Sequence, residues 1–204
     1  EQERAGIIAG SPVAGTYDVI VAGAGTGGAA AAIAAARDGA RTLLLSPTAH
    51  AGGICSAGII HSFYHGIDGG LIDEHSAQVF ALSERLGPVR GYHPWAFGTV
   101  LQRELEGVDV RFLPARTVFG ALRDGQAACG VLAAGPDGLE AWRANVIIDG
   151  TGDGDLAAGA GAGYTLGREG DGFPQPYSYT PATLDAKGQL GHRNFDAGWV
   201  DPTD

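Results

Sequence analysis

Apolar runs bounded by glycine set the frame of this chain. Tyr17-Asp18-Val19-Ile20-Val21-Ala22 has the pattern of a strand buried on both faces of a parallel sheet. The alanine-rich stretch Gly27 to Arg37 predicts a helix whose small side chains let it lie close to the strands, and Gly39 ends it. Arg41 to Leu45 predicts a second buried strand, which completes a strand–helix–strand unit with a right-handed crossover. Residues 46–69 are rich in Gly, Ser and His and too long for a simple connector, so they read as a functional loop. Leu71 to Leu86 and Trp95 to Leu105 carry apolar positions at helical spacing and predict two amphipathic helices. Asp109 to Leu113, Thr117 to Leu122 and Ala127 to Ala133 read as three short strands of an antiparallel meander, with turns at Asp124-Gly125 and Pro136-Asp137-Gly138. Asn145 to Asp149 predicts a further buried strand, leading through a glycine loop to a small-residue helix from Leu156 to about Ala162. Residues 1–16 read as a polar arm, and beyond Tyr164 regular signals fade. The fold class is therefore α/β, with a parallel central sheet and a small antiparallel meander.

Composition narrows the function. Thirteen Lys and Arg against 23 Asp and Glu give a net charge of −10, which disfavours nucleic acid and anionic lipid as partners. No apolar run approaches the roughly 18 residues of a membrane span. Glycine supplies 35 of the 204 residues without a collagen period, which points to tight turns and close approach of backbone to a ligand. Cys55 and Cys129 make neither a disulfide framework nor a zinc spacing. Methionine is absent even at position 1 and Glu1-Gln2-Glu3-Arg4 lacks the apolar core of a leader, so a processed chain is expected, in a compartment the sequence leaves open.

The central motif is Gly23-Ala24-Gly25-Thr26-Gly27-Gly28, in which glycines 23, 25 and 28 form G-x-G-x-x-G between a predicted strand and a predicted helix. Gly23 permits the tight turn, Gly25 admits a diphosphate against bare backbone, and Gly28 lets helix and strand pack closely. Unpaired N–H groups and the helix dipole then hold the anion, so the loop predicts a dinucleotide. The acidic residue expected about twenty positions on, for the adenosine ribose, is replaced by Ser46, which offers a hydrogen bond but no charge, and no Arg follows it to favour a 2′-phosphate.

Four segments carry a family resemblance: YDVIVAGAGTGGAAAAIAAARDGA at 17–40, AGGICSAG at 51–58, GGLIDE at 69–74 and VIIDGTGDGDLAAGAGAGYTLGREGDG at 146–172. Together they resemble the FAD-dependent oxidoreductases of the glutathione-reductase-like superfamily. The resemblance implies a Rossmann-like FAD-binding domain over 17–165, with 166–204 as the start of a substrate region or an interface with a partner chain. It implies that Gly52, Gly53, Ile54, Cys55 and Ser56 reach the flavin ring and its phosphate-ribityl arm. It further implies that Val118 pairs by backbone with the adenine edge, and that Thr151, Gly152 and Asp155 form a second loop beside the cofactor. A closing strand and loop expected of the family do not occur before Asp204. The expectation is therefore an N-terminal part or subunit, paired with a second polypeptide that carries the C-terminal half of the flavin site.

Other reactive residues keep two readings. His61 and His65, with Tyr64 between them, are either substrate-side base and polariser or part of a polar loop, and no third ligand is spaced for a metal. Cys55 is a redox thiol, a covalent flavin anchor or a small loop-packing residue, without a C-x-x-C partner. Asp153 and Asp155 are candidate carboxylates, Asp155 being read as a helix cap and cofactor neighbour. Arg168, in a cluster with Glu169, Asp171 and Gln175, either binds a substrate carboxylate or sits in a surface ion pair. Trp95 and Phe97 are read as core. The function expected is an FAD-dependent oxidoreductase taking a hydride from a small organic substrate. The alternatives are an NAD(P)-dependent dehydrogenase and a non-catalytic nucleotide-binding assembly subunit.

Overall fold

A computed structural model of the chain describes residues 13–62, 69–87, 91–167, 182–184 and 190–192. These fall in two compact units, Glu1–Ala162 and Gly163–Asp204. In the first unit the order is β1 (Val13–Ala22), α1 (Thr26–Arg37), β2 (Thr42–Leu45), a 3-10 turn (Gly53–Cys55), α2 (Leu71–Leu86), α3 (Pro94–Glu106), β3 (Val110–Leu113), β4 (Thr117–Asp124), β5 (Ala127–Gly135), β6 (Gly138–Asp149) and α4 (Asp155–Gly159). The described part of the second unit is an antiparallel pair, β7 (Ala182–Leu184) with β8 (Leu190–His192), in which Ala182 faces His192. Among the described residues no helix is long and apolar enough to cross a membrane.

The six strands of the first unit form one sheet in the order β3-β2-β1-β6-β5-β4. β3, β2, β1 and β6 run parallel, with Ile20 opposite Leu43 on one side and Ile147 on the other. β6, β5 and β4 continue the sheet antiparallel. Alternation along β1 divides the core in two. Val19 and Val21 join Leu44 and the helices α1, α2 and α3 on one face, where Ala29, Ala32 and Ile33 let α1 lie close to the strands. Ile20 and Ala22 point the other way, into a cluster with Leu43, Leu45, Val131, Trp142 and Leu156. Ile20 is fully enclosed, so Ile20→Val removes one methylene and leaves the space behind it. The expected loss is about 1 kcal/mol, read as a lower urea midpoint with an unchanged slope.

Three boundaries differ from the sequence pattern. β1 begins at Val13 rather than Tyr17, because the segment before Tyr17 pairs with the first half of β6: Val13 faces Ala141 and Thr16 faces Arg143. The run at 109–113 does not belong to the meander. It is β3, the parallel edge strand, held by register with β2 from Thr42 opposite Val110 to Leu45 opposite Leu113. The meander's third strand is instead the first half of β6, which starts at Gly138. The second half of β6 is less enclosed than its apolar sequence suggests, with Val146 at 52% exposure. Finally, the small-residue helix is short, ending at Gly159.

Candidate functional site

The C-terminal ends of β1, β2 and β6 open on one cavity of about 660 Å³, in the range of small-molecule and cofactor sites. Its floor is the turn from β1 into α1. Gly23 holds a positive φ of 93°, and a Cβ there would meet the Gly150 carbonyl oxygen at 2.5 Å. A Cβ on Gly28 would lie 1.9 Å from the Gly23 carbonyl oxygen. The ends of β1 and β6 and the start of α1 therefore touch backbone to backbone, as close packing at these glycines requires.

Gly25 is the N-cap of α1 and makes no side-chain capping bond, and no acidic residue occupies the first turn. The first-turn N–H groups have no intrahelical acceptor, and the dipole of this twelve-residue helix favours an anion there. Space beyond the loop is open: a Cβ on Gly25 would come no nearer than 4.0 Å to the Gly150 oxygen, and one on Gly27 would meet nothing. A bare, donor-rich, open cradle of this kind takes a diphosphate.

Two further segments border the cradle. The 3-10 turn after β2 is tied to the phosphate loop by a bond from Gly52 N–H to the Ala24 carbonyl at 2.8 Å, and Gly53 stands against the Gly25 backbone. On the other side lies the β6–α4 loop, which Asp149 organises. Its Oδ1 accepts from Thr151 N–H at 2.9 Å and Thr151 Oγ1 at 2.6 Å, and its Oδ2 accepts from Ala157 N–H at 2.7 Å. Burial works to raise the Asp149 pKa. The bonds from the Thr151 hydroxyl and from the Ala157, Thr151 and Leu156 amides outweigh it and hold the carboxyl below its ordinary value. The carboxylate that caps α4 is thus Asp149, reached from the strand before it. Asp155, read from the sequence as the cap, follows the N-cap Gly154 and makes no capping bond.

Of the residues singled out from the sequence, Gly23, Ala24, Gly25, Thr26, Gly27, Gly28, Ser46, Gly53, Ile54, Val118, Thr151, Gly152 and Asp155 all line this cavity. Gly52, Cys55 and Ser56 lie outside its lining. Gly52 turns the chain at a φ of 106°, with Phe97 and Ser56 so close that no side chain fits. Ser56 Oγ donates to the Ala51 carbonyl at 2.8 Å. Cys55 is buried in the helical core, beside Tyr92. Burial and, after it, a hydrogen bond with the Cys55 thiol push the Tyr92 hydroxyl well above its ordinary pKa. Phe97 is core, as expected, whereas Trp95 is 78% exposed at the start of α3. His61 is exposed, and its carbonyl accepts from Tyr92 N–H at 2.8 Å. Tyr64, His65 and Arg168 lie outside the described residues.

The structure adds lining residues that sequence reasoning passed over, chiefly Thr48, Arg116, Asp149 and Gly150. Arg116 is the only cation of the lining among the described residues, and its guanidinium faces Glu140 Oε1 at 3.3 Å. Its backbone N–H donates to the Ser46 carbonyl at 2.9 Å, which brings the segment after β3 alongside the end of β2.

A parallel sheet with a glycine cradle at the start of its first helix and a second glycine loop beside it defines a dinucleotide-binding α/β protein. The family model described as "FAD dependent oxidoreductase" matches residues 18–201, and the chain belongs to that family. FAD is its cofactor, and the open cradle and bare first-turn amides fit the diphosphate of that group. No curated protein sequence matches the chain. Its fold is similar to that of the 3-ketosteroid-delta4-(5alpha)-dehydrogenase of Rhodococcus jostii RHA1, with a TM-score of 0.51 at 17% identity over 69% of this chain and 47% of that one. It is also similar to the flavin-dependent brominase Bmp2, with a TM-score of 0.54 at 15% identity over 71% and 40%. THI4 of Thermovibrio ammonificans gives a TM-score of 0.50 at 14% identity over 71% and 61%. Alignment with this chain thus covers 40%, 47% or 61% of these proteins, and the likeness is one of fold.

Proposed function

We propose that the chain is the FAD-binding part of an oxidoreductase that takes a hydride from a small organic substrate. The observation that carries this reading is the single cavity in which the phosphate cradle, the Gly53–Ile54 turn, the start of β4 and the β6–α4 loop meet. Bound there, FAD supplies the two-electron chemistry, and the protein supplies position and electrostatics. The first-turn amides of α1 and the bare Gly25 would hold the diphosphate. The segment Ser46 to Thr48, with Val118, would border the adenosine. Gly53 and Ile54 would reach toward the ring, and Thr151, Gly152 and Asp155 would close the opposite side. Asp149, which also lines the cavity, keeps that last loop in place through its bonds to Thr151 and Ala157. His61, with Tyr64, His65 and Arg168, supplies the candidate substrate-side groups.

A visible absorption spectrum of the protein purified from its source tests the reading. Flavin bands released with the cofactor on denaturation are the expected result, and a flavin-free protein that binds only nicotinamide nucleotides would overturn it. We further propose that a second polypeptide completes the substrate side. Trp95 and Val146 leave apolar surface in water, a cost of about 25 cal/mol per Å². Native mass measurement should find a larger assembly, and an FAD-loaded monomer of 20.7 kDa would refute it.

A further inference from the structure

We infer that this cavity does not exclude a phosphate on the adenosine 2′ position, so that it accepts 2′-phosphorylated adenine nucleotides as well as unphosphorylated ones. The inference rests on the placement of a dinucleotide in the cavity and concerns the end of β2, where the adenosine ribose of such ligands lies.

A carboxylate at that end accepts the ribose hydroxyls and repels a 2′-phosphate. Here the position is Ser46, 2% exposed, and its hydroxyl is committed locally. Thr48 Oγ1 donates to the His50 carbonyl at 3.0 Å, so in the 3.0 Å contact between the two hydroxyls Ser46 is the donor. Ser46 Oγ in turn accepts from Thr48 N–H at 3.2 Å. Both hydroxyl protons are therefore used within the turn, and what remains toward the cavity is neutral acceptor capacity. Among the described residues the two acids in the lining, Asp149 at the end of β6 and Asp155 at the start of α4, lie across β1 from this point. Arg116, the one lining cation among the described residues, is tied by its backbone to Ser46 itself. Among the described residues the lining at the sugar end thus carries no carboxylate, and the residue tied to it by backbone, Arg116, is a cation. Glu140 offsets part of that charge, accepting from Arg116 Nη2 at 3.3 Å and Nε at 3.5 Å, but is not part of the cavity lining.

The test is displacement of FAD from the purified native protein, read by flavin fluorescence, with ADP and with adenosine 2′-phosphate-5′-diphosphate as competitors. The expected inhibition constants differ by less than about tenfold, against the larger penalty that two facing anions impose. A preference of tenfold or more for ADP would overturn the inference. Thr48 is exposed, so Thr48→Asp restores a carboxylate at the turn without disturbing the core. This variant should bind the 2′-phosphorylated nucleotide at least about tenfold more weakly while ADP is less affected. An unchanged ratio would show that the end of β2 does not face the sugar, and would sink the inference while leaving FAD binding itself intact. Failure of both nucleotides to displace FAD would instead overturn the placement of the dinucleotide, and the inference with it.

Discussion

Gly28→Ala should unfold or severely weaken the protein, whereas Gly25→Val should leave it folded and unable to hold FAD. The two glycines stand three residues apart in one motif and meet different surroundings. A Cβ on Gly28 would lie 1.9 Å from the Gly23 carbonyl oxygen, part of a backbone with no side chain to move aside. Relieving that overlap means pulling α1 away from β1, and with it the contacts of Ala29, Ala32 and Ile33. The expected loss is about 3 kcal/mol or more, at the upper end of overpacking penalties. Gly25 has a φ of −66° and a ψ of −173°, open to any L-residue, and nothing within 4 Å of its Cβ position except the Gly150 oxygen at 4.0 Å. Its replacement should cost the fold no more than about 1 kcal/mol, the usual cost of a poorer N-cap. The isopropyl group would fill the space a diphosphate needs, and a loss of at least about a hundredfold in FAD affinity is expected. Chemical denaturation and flavin fluorescence titration on both variants separate the outcomes. A stable Gly25→Val protein that binds FAD normally would show that the cradle is not the diphosphate site.

The second large effect concerns Asp149. Asp149→Asn keeps an acceptor for Thr151 but turns an amide donor toward the Ala157 N–H, so at least one charge-assisted bond is lost. A loss of about 1.5 to 3 kcal/mol in unfolding free energy is expected near neutral pH. The pH dependence follows from the lowered pKa of this carboxyl. Its stabilisation is fully present above the unfolded-state value of about 3.9 and fades as pH falls from there through the lower folded-state value. Urea unfolding followed between neutral pH and strongly acidic pH should therefore converge for the native protein and the variant at the acid end. A gap that stayed constant through the acid range would mean that the carboxylate's charge plays no part.

Much of this architecture is written in local pattern. The apolar run at Tyr17 to Ala22, the alanine helix after it and the glycine spacing between them declare the strand, the helix and the phosphate loop, because each depends on neighbours within a few residues. α2 falls at Leu71–Leu86, as its helical periodicity predicts. What local pattern leaves open is which strand lies beside which. Val110 to Leu113 reads as a meander strand, and only its pairing with Thr42 to Leu45 shows it to be the parallel edge. The same holds for the site. Asp149 looks like the last residue of a strand and Asp155 like a cap. The turn at Thr151 to Gly154 gives the capping role to Asp149 instead, by carrying the helix amides back over the strand end. Arg116 gives no signal at all in sequence, since its place in the cavity comes from the backbone bond to Ser46.

One strand serves two partners. β6 pairs antiparallel with β5 over Gly138 to Arg143 and parallel with β1 over Ala141 to Asp149, so that Ala141 to Arg143 are held from both sides at once. The meander is consequently no detachable flap: it shares a spine with the nucleotide cradle. Amide protons of β5 and β1 should be released together in hydrogen exchange, and strain applied at the outer hairpin would be delivered directly to the floor beneath the diphosphate.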